Sequence, residues 1–479
     1  MNLQSKARPV GCTGLRRIAT YFIGQSIVLA AVALIGLCQP AAAQTATLTN
    51  GNVATGAVSC APSNNGTGHM VCLEYSTAGA LIGVSWQAPP QGLHVPKDQA
   101  QQPAEPSDTI DNDPLMPNLG ATAVGVPGCA SENLNDFGAV VCLIVSKTAG
   151  GSFMLQGLSF YPPTDAAKQT APTALLAVGT EPANTVIGNP SCASGGNGGA
   201  AVCAITINGH LFGVGFEPRN NVSTPLTSLL AGASVTGNPA CVAAENGSTT
   251  PVDCIVREGN TLIGFALAFT PPPAAAVASE DTLSLGAMAF TGDPSCDIPA
   301  DGVIPAIGTP KTSFVATCGI VSGTTLFGVS FDPIDAIPAS SPSSHATALQ
   351  SLGKAPDTGS WTGNISCSGI SDFRMGAPTP ANQTPNASPN QNLIGCAALS
   401  STNNLFEVTF DPRLPVSRAV IGPFGGNITT RPSCLFLNVD RENIYCAATT
   451  TAGVSAGYTV PVGILPPGSL PGLAQFVSD

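Results

Sequence analysis

Charge is scarce in this chain: 9% of its residues are Asp, Glu, Lys or Arg, against about 25% in an ordinary soluble domain. Strands built from such a sequence are apolar on both faces and need cover on both. The charges that do occur are mostly acidic, 28 Asp and Glu against 16 Lys and Arg, which argues against nucleic acid and anionic membrane surfaces as partners. Tryptophan and histidine are nearly missing as well. Trp86 and Trp361 are the only two tryptophans, and His69, His94, His210 and His345 fall at unrelated positions, His94 and His345 in spacers. Close Cys-x-x-Cys or Cys/His spacing is lacking, which sets a zinc site aside, and there is no Walker-type loop to cradle a phosphate. Beyond the N-terminus no apolar run approaches the roughly 20 residues of a membrane-spanning helix.

What is present begins with a leader. Residues 1–43 carry Lys6, Arg8, Arg16 and Arg17, an apolar run from Ile27 to Leu37, and Ala41-Ala42-Ala43 before Gln44, the layout of a cleaved secretory signal. The large Leu37 before Cys38 argues against a lipoprotein, and the Arg16-Arg17 pair alone is weak support for twin-arginine export. Removal of this leader raises the acidic excess from 12 to 16, since it holds four bases and no acid. It also takes away Cys12 and Cys38, leaving fourteen of the 16 cysteines.

Those fourteen are evenly distributed. Residues 188–218, GNPSCASGGNGGAAVCAITINGHLFGVGFEP, form a template: a Gly188-Asn189-Pro190 turn leads to a strand ending at Cys192. A strand from Ala200 to Ile207 follows, then an Asn208-Gly209 turn of the hairpin type, then a return strand from Leu211 to Phe216 stopped by Pro218. The pattern recurs seven times, pairing Cys60 with Cys72, Cys129 with Cys142, Cys192 with Cys203, Cys241 with Cys254, Cys296 with Cys318, Cys367 with Cys396 and Cys434 with Cys446. Each second cysteine is followed by a strand-ending aromatic, in turn Trp86, Phe160, Phe216, Phe269, Phe331, Phe410 and Tyr458, and then by a proline. An apolar piece ending in Gly precedes most first cysteines, as at Leu119-Gly120, Val178-Gly179, Leu285-Gly286, Leu352-Gly353 and Ile421-Gly422, which makes four strands per copy. First cysteines lie 49 to 71 residues apart, a propeller-blade period rather than that of a helical solenoid.

The expected fold is therefore all-β: residues 44–479 as a single seven-bladed β-propeller of four-stranded blades, with one disulfide inside each blade. An even set of regularly spaced cysteines in an exported chain is a disulfide framework, each bridge worth roughly 3 kcal/mol as an entropic upper bound. Pro/Gln-rich insertions at 87–113 and 372–392 fall at turns. The ring is expected to close through a strand at Thr45–Thr49 joining the last copy, which is one strand short, with Ser469–Val477 as the other option. A pore-type barrel would not carry a stapled hairpin and a proline in every repeat, and separate sandwiches would be longer.

The order LSLGAMAFTGDPSC and then VATCGIVSGTTLFGVSF, residues 283–331, resembles the repeats of the seven-bladed bacterial lectin propellers that bind fucose and related sugars. The resemblance spans all seven copies and implies a lectin-like, carbohydrate-binding role. This chain adds the regular cysteines and lacks the tryptophan that those repeats place early in each blade, so no binding residue is carried over.

Of the polar residues that recur, Asn189, Asn238 and Asp293 precede Pro in the Gly-x-Pro turns, where they either cap the turn or hydrogen-bond a ligand from an inter-blade cleft. Glu217, Asp332 and Asp411 share the place between the terminal aromatic and Pro. On different blades such acids are not set as the carboxyl pair, about 5 to 10 Å apart, that glycoside hydrolysis needs. Asp111-Asn112-Asp113 lacks the twelve-residue signature of a calcium loop. The sequence thus points to an exported, periplasmic or extracellular, non-enzymatic binding module with a glycan or envelope protein as partner and no catalytic residue, metal or cofactor. A structural scaffold of the cell envelope is the alternative, and a glycan-active enzyme the third reading. Peptide mapping of the non-reduced, leader-free protein should find every remaining cysteine bridged within its own copy; a bridge between copies, or a free thiol, would overturn the local scheme.

Overall fold

The computed structural model describes residues 45–47, 56–63, 69–76, 79–87, 111–112, 119–131, 139–161, 174–195, 200–230, 232–243, 252–269, 277–298, 304–305, 312–313, 316–331, 346–370, 393–410, 418–424, 427–436, 443–451 and 455–461. The leader at 1–43, most of the spacer at 87–113, the insertion at 372–392 and Ser469–Val477 lie outside the described residues.

The template stretch shows how a blade forms. Strand Ser191–Ser194 pairs with Ala201–Ile207, which turns back onto His210–Glu217. Cys192 therefore sits inside its strand rather than at its end. The turn puts Asn208 at φ 51° and Gly209 at φ 76°, the left-handed pair that an Asn-Gly hairpin demands. Alternation along Ala201–Ile207 then sends side chains to two different neighbours. Cys203, Ile205 and Ile207 are buried among Val141, Leu143 and Val145 of the preceding blade, while Val202 and Ala204 are buried among Val252, Cys254 and Val256 of the following one. Both faces are covered, and the low charge content has its cause.

A recurrent ring-on-glycine contact sets the spacing between blades. The terminal Phe216, Phe331 and Phe410 are all buried, and each lies on a glycine in the third strand of the blade before it: Phe216 on Gly157, Phe331 on Gly264, Phe410 on Gly328. A methyl group would lie 2.7 Å from the Phe331 ring at Gly264 and 2.5 Å from the Phe410 ring at Gly328. The Gly-to-aromatic interval of the repeat is thus a packing code: the glycine receives the next blade's ring while its own blade's aromatic seats on the glycine of the blade before.

The protein is an all-β propeller of disulfide-stapled blades, but two expectations are corrected. First, four of the five apolar pieces ending in Gly, all but Leu119-Gly120, belong to the preceding blade, not to the following copy. Ala174–Glu181 pairs with Phe153–Phe160, Val277–Ala287 with Thr261–Phe269, Gln350–Lys354 with Thr325–Phe331 and Arg418–Phe424 with Leu405–Phe410. After the proline the chain returns antiparallel to the strand it has just left, and so becomes that blade's outer edge. Second, the structure shows six blades where seven were expected, although the N-terminal strand joins the last copy as expected. Six blades are each formed by one continuous stretch of chain, and the remaining stapled sheet is composite. Its three strands Ser433–Phe436, Asn443–Thr449 and Ser455–Pro461 are completed by Thr45–Thr47, with Thr45 opposite Tyr458 and Thr47 opposite Ala456. The two corrections share one reason, since the piece ahead of the first cysteine must serve the blade before it, which is the last.

Strand number also varies more than the repeat implies, from two to five per sheet. The five-stranded sheets arise where one edge is split: Thr122–Ala123 and Gly128–Ser131 both pair with Val140–Lys147, and Val222–Ser223 and Thr227–Ser228 both pair with His210–Glu217. A two-stranded ribbon, Ile304–Pro305 with Thr312–Ser313, lies inside the long Cys296–Cys318 connection.

The structure joins Cys60–Cys72, Cys129–Cys142, Cys192–Cys203, Cys241–Cys254, Cys296–Cys318, Cys367–Cys396 and Cys434–Cys446. Each pair is directly opposed in register between the first and second strands of a blade, with Cα atoms 3.9 to 4.1 Å apart. The first-cysteine strands contact one another in chain order, and Ser433–Phe436 in turn contacts Ser59–Ser63, so the cycle closes. Substituting Gly328→Ala should destabilise the oxidised protein by about 2 kcal/mol through overpacking, read by urea unfolding. Adding Phe410→Leu should restore part of that loss; purely additive losses would refute the contact.

Candidate functional site at the propeller axis

The turns ahead of the first cysteines converge on the axis. Three residues before them stand Ala57, Val126, Asn189, Asn238, Asp293, Asn364 and Arg431; immediately before them stand Ser59, Gly128, Ser191, Ala240, Ser295, Ser366 and Ser433. Two ladders of hydrogen bonds run around this hub in opposite senses.

In one, a backbone N–H donates to the side chain of the next blade. Val126 N–H donates to Asn189 Oδ1 at 2.9 Å, Asn189 N–H to Asn238 Oδ1 at 2.6 Å, and Asn238 N–H to Asp293 Oδ1 at 3.0 Å. Asn238 Nδ2 also donates to Asp293 Oδ2 at 2.6 Å. In the other ladder, each cysteine N–H donates to the serine of the preceding blade: Cys241 to Ser191, Cys367 to Ser295, Cys434 to Ser366 and, across the seam, Cys60 to Ser433, all at 2.9 Å, with Cys129 to Ser59 at 3.2 Å. The two steps without such a bond are those where the serine position holds Gly128 and Ala240. Each bond is worth about 0.5–1.5 kcal/mol net, and together they orient the hub.

The sequence-based candidates Asn189, Asn238 and Asp293 are therefore neighbours in one ladder. Asn189 and Asn238 also line an axial cavity of about 150 Å³. The rest of the lining comes from Pro190 beside Asn189 and from the same turns of other sheets, including Ser59, Ser366, Ser433, Pro127 and Arg431. Sequence reasoning passed over Arg431. Its signal was a departure from the repeat, a cation where the other copies hold neutral or acidic residues. From the last blade its Nε donates to Ile365 O at 2.7 Å and an Nη to Pro294 O at 2.9 Å, reaching across two blades. Burial lowers the guanidinium's pKa, and the charge of Asp293 offsets that only in part. Asp293 is also paired with Arg257 at 3.4 Å.

The other candidates lie elsewhere. Glu217 ends its strand and accepts a hydrogen bond from Asn220 Nδ2; Asp332 and Asp411 lie outside the described residues. His210 is exposed at a hairpin, and His69 lies on a strand edge rung opposite Ser63; His94 and His345 are outside the described residues. Asp111 and Asn112 form an outer-strand rung on Ser85 and Val84. Trp361 is a core residue, with Nε1 donating to Gly353 O at 2.9 Å and its ring edge-on to Phe406. Gly453 to Gly457 has Gly-x-Ser-x-Gly spacing, yet Ser455 opens a strand paired to Thr449, not the strand-to-helix elbow of a hydrolase. Among the described residues no three His, Cys, Asp or Glu side chains are placed to hold a metal ion, and no helix is long and apolar enough to cross a membrane.

On the rim, Asp357 gathers four donors. Its carboxylate accepts from Ser400 Oγ at 2.7 Å, Gly359 N–H at 2.9 Å, Asn404 Nδ2 at 3.2 Å and Thr402 Oγ1. What burial it has pushes the carboxyl up, but the hydrogen bonds outweigh that and hold its pKa at about 2.

No protein-family model matches the chain, and no curated protein matches it by sequence. Solved structures with a similar course of chain include AofleA from Arthrobotrys oligospora, at 10% identity over 80% of this chain and 91% of that one, TM-score 0.38. The BP39L lectin of Burkholderia pseudomallei is 9% identical over 86% and 98%, TM-score 0.45. A mutant of the NanB sialidase from Streptococcus pneumoniae is 7% identical over 89% and 72%, TM-score 0.40. At these values nothing about residues, ligands or chemistry follows from the neighbours.

Because the folded pKa of Asp357 lies below the unfolded value of about 3.9, the stability it contributes is complete above that pH. It is lost as pH falls toward about 2. Asp357→Asn should flatten the acid-side decline of the melting temperature in that window; an unchanged slope would show that the cluster contributes nothing.

Proposed function

We propose that the protein is an exported, non-enzymatic binding module, a seven-bladed wheel in which the composite sheet serves as the seventh blade, and that it binds carbohydrate at the axial hub. One observation carries this reading: a ring-sized polar cavity framed by hydroxyls, amides, carbonyls and proline rings drawn from six blades. A cavity of about this volume holds one six-membered ring. Each serine that accepts a cysteine N–H still has a hydroxyl proton to give, and the proline rings offer apolar surface to sugar C–H groups. Asn189 and Asn238 have their Oδ1 atoms committed to the ladder, and Asn238 also gives an Nδ2 proton to Asp293; Asn189 would present its Nδ2. The ligand groups are held on a rigid hub, so little entropy is lost in ordering them.

Seven bridges suit an oxidising compartment, and the periplasm or the extracellular space both meet that condition. A second reading, an envelope scaffold, is favoured by the same bridges and ladders, which would give a stiff, protease-resistant disc. A glycan array probed with the oxidised protein separates the two. Signals that free monosaccharide competes away are the expected result; silence across the array, with unchanged binding to isolated envelope protein, would favour the scaffold.

A further inference from the structure

We infer that the axial cavity selects an anion, a single sugar ring bearing a carboxylate, and that Arg431 is the residue that selects it. This rests on the axial cavity being the ligand site and names the class of ligand it takes.

The turn position three before the first cysteine holds Ala57, Val126, Asn189, Asn238, Asp293 and Asn364 in the other six copies, and a cation only in the last. That cation is not a surface residue held by a nearby acid. Its guanidinium crosses the hub and is aimed by two neutral carbonyls, Ile365 O and Pro294 O, which fix the fork without cancelling its charge. The nearest carboxylate that acts on it is Asp293. That carboxylate is already shared: it pairs with Arg257 Nη2 and accepts both donors of Asn238. Two guanidinium groups thus divide the one carboxylate of Asp293, so its charge is not Arg431's alone.

Among the described residues that line the cavity Arg431 carries the only charged side chain. In a protein of net charge −12 a cationic wall is an exception. A planar guanidinium held in place pairs with carboxylate in a two-point fork, a geometry that an ammonium or an amide does not reproduce. The volume limits the partner to one ring, the hydroxyls and amides favour a polyol, and the guanidinium calls for a carboxylate. Together these describe a uronic-acid type of sugar.

Calorimetric titration of the oxidised full chain with glucuronate, its methyl ester and glucose tests this. Glucuronate should bind at least about tenfold more tightly than the ester or glucose. Its affinity should fall as salt is raised, because the Debye length shrinks from about 10 Å at 0.1 M to about 3 Å at 1 M. Arg431→Gln should lose the preference for the acid, and Arg431→Lys should keep part of it. Asn189→Asp retains the Oδ1 that accepts Val126 N–H while adding negative charge to the wall, so it too should weaken glucuronate about tenfold or more; it carries the test if Arg431→Gln fails to fold. Equal binding of acid and ester, or an undiminished preference in these variants, overturns the inference, as does failure of glucuronate to bind. Neutral sugars competing on the array while glucuronate does not would sink this inference alone and leave the binding-module reading standing; silence from every sugar would sink both.

Discussion

A sheet that is apolar on both faces cannot stand alone in water, and this one constraint shapes the protein. The strand Ala201–Ile207 buries alternate side chains in two separate cores, so no blade is finished without a neighbour on each side. A linear stack would leave two bare faces at its ends; a cycle leaves none. The ring-on-glycine contacts Phe216 on Gly157, Phe331 on Gly264 and Phe410 on Gly328 then fix how closely successive blades approach, because a ring seated on a glycine tolerates no added methyl. The staples act within blades rather than between them. They hold the innermost hairpin together, where few large side chains are available, while burial joins one blade to the next.

At the hub the same problem appears in polar form. Inner strands crowd together, and the N–H groups that face away from their own blade need partners there. The ladders through Asn189, Asn238 and Asp293 and through Ser59, Ser191, Ser295, Ser366 and Ser433 supply them from adjacent blades. Because they run in opposite senses, each turn both gives and receives, and tilting one blade disturbs bonds to both neighbours. The composite sheet is held in this network at its inner edge, through Cys60 N–H on Ser433, as well as at its outer edge by Thr45–Thr47.

Much of this could be read from the chain. Local cysteine pairing, the hairpin at Asn208-Gly209 and the propeller period all follow from short-range spacing, which a sequence displays directly. The assignment of Leu285-Gly286 or Leu352-Gly353 to a blade does not, since a strand midway between two hairpins can pair with either and spacing alone is indifferent. Reading them forward made the last copy seem merely one strand short; reading them backward makes the borrowed N-terminal strand a necessity. The ladders were hidden for a related reason. Asn189 has an obvious local role as a turn former, and only the register between blades reveals that its side chain serves Val126, 63 residues away. Arg431 is not legible in a pattern of recurrence, because it stands where the recurrence fails.

That last omission has a general cause. Where a repeat is perfect, each polar group is answered by the equivalent group on the next blade, and a closed ladder has nothing left for a ligand. Chemistry becomes available where the repeat fails. Gly128 and Ala240 lack the hydroxyl that other blades offer; Ala57 and Val126 cannot continue the amide ladder; Arg431 replaces an acceptor by a donor. All but Ala240 of these line the axial cavity, and Ala240 follows Asn238 and Pro239, which do. The cavity therefore lies where the hub's self-sufficiency is broken, and the one charged side chain among its described lining residues stands at such a break. In a molecule whose regularity is spent on holding itself together, the irregular positions are the ones free to recognise something else.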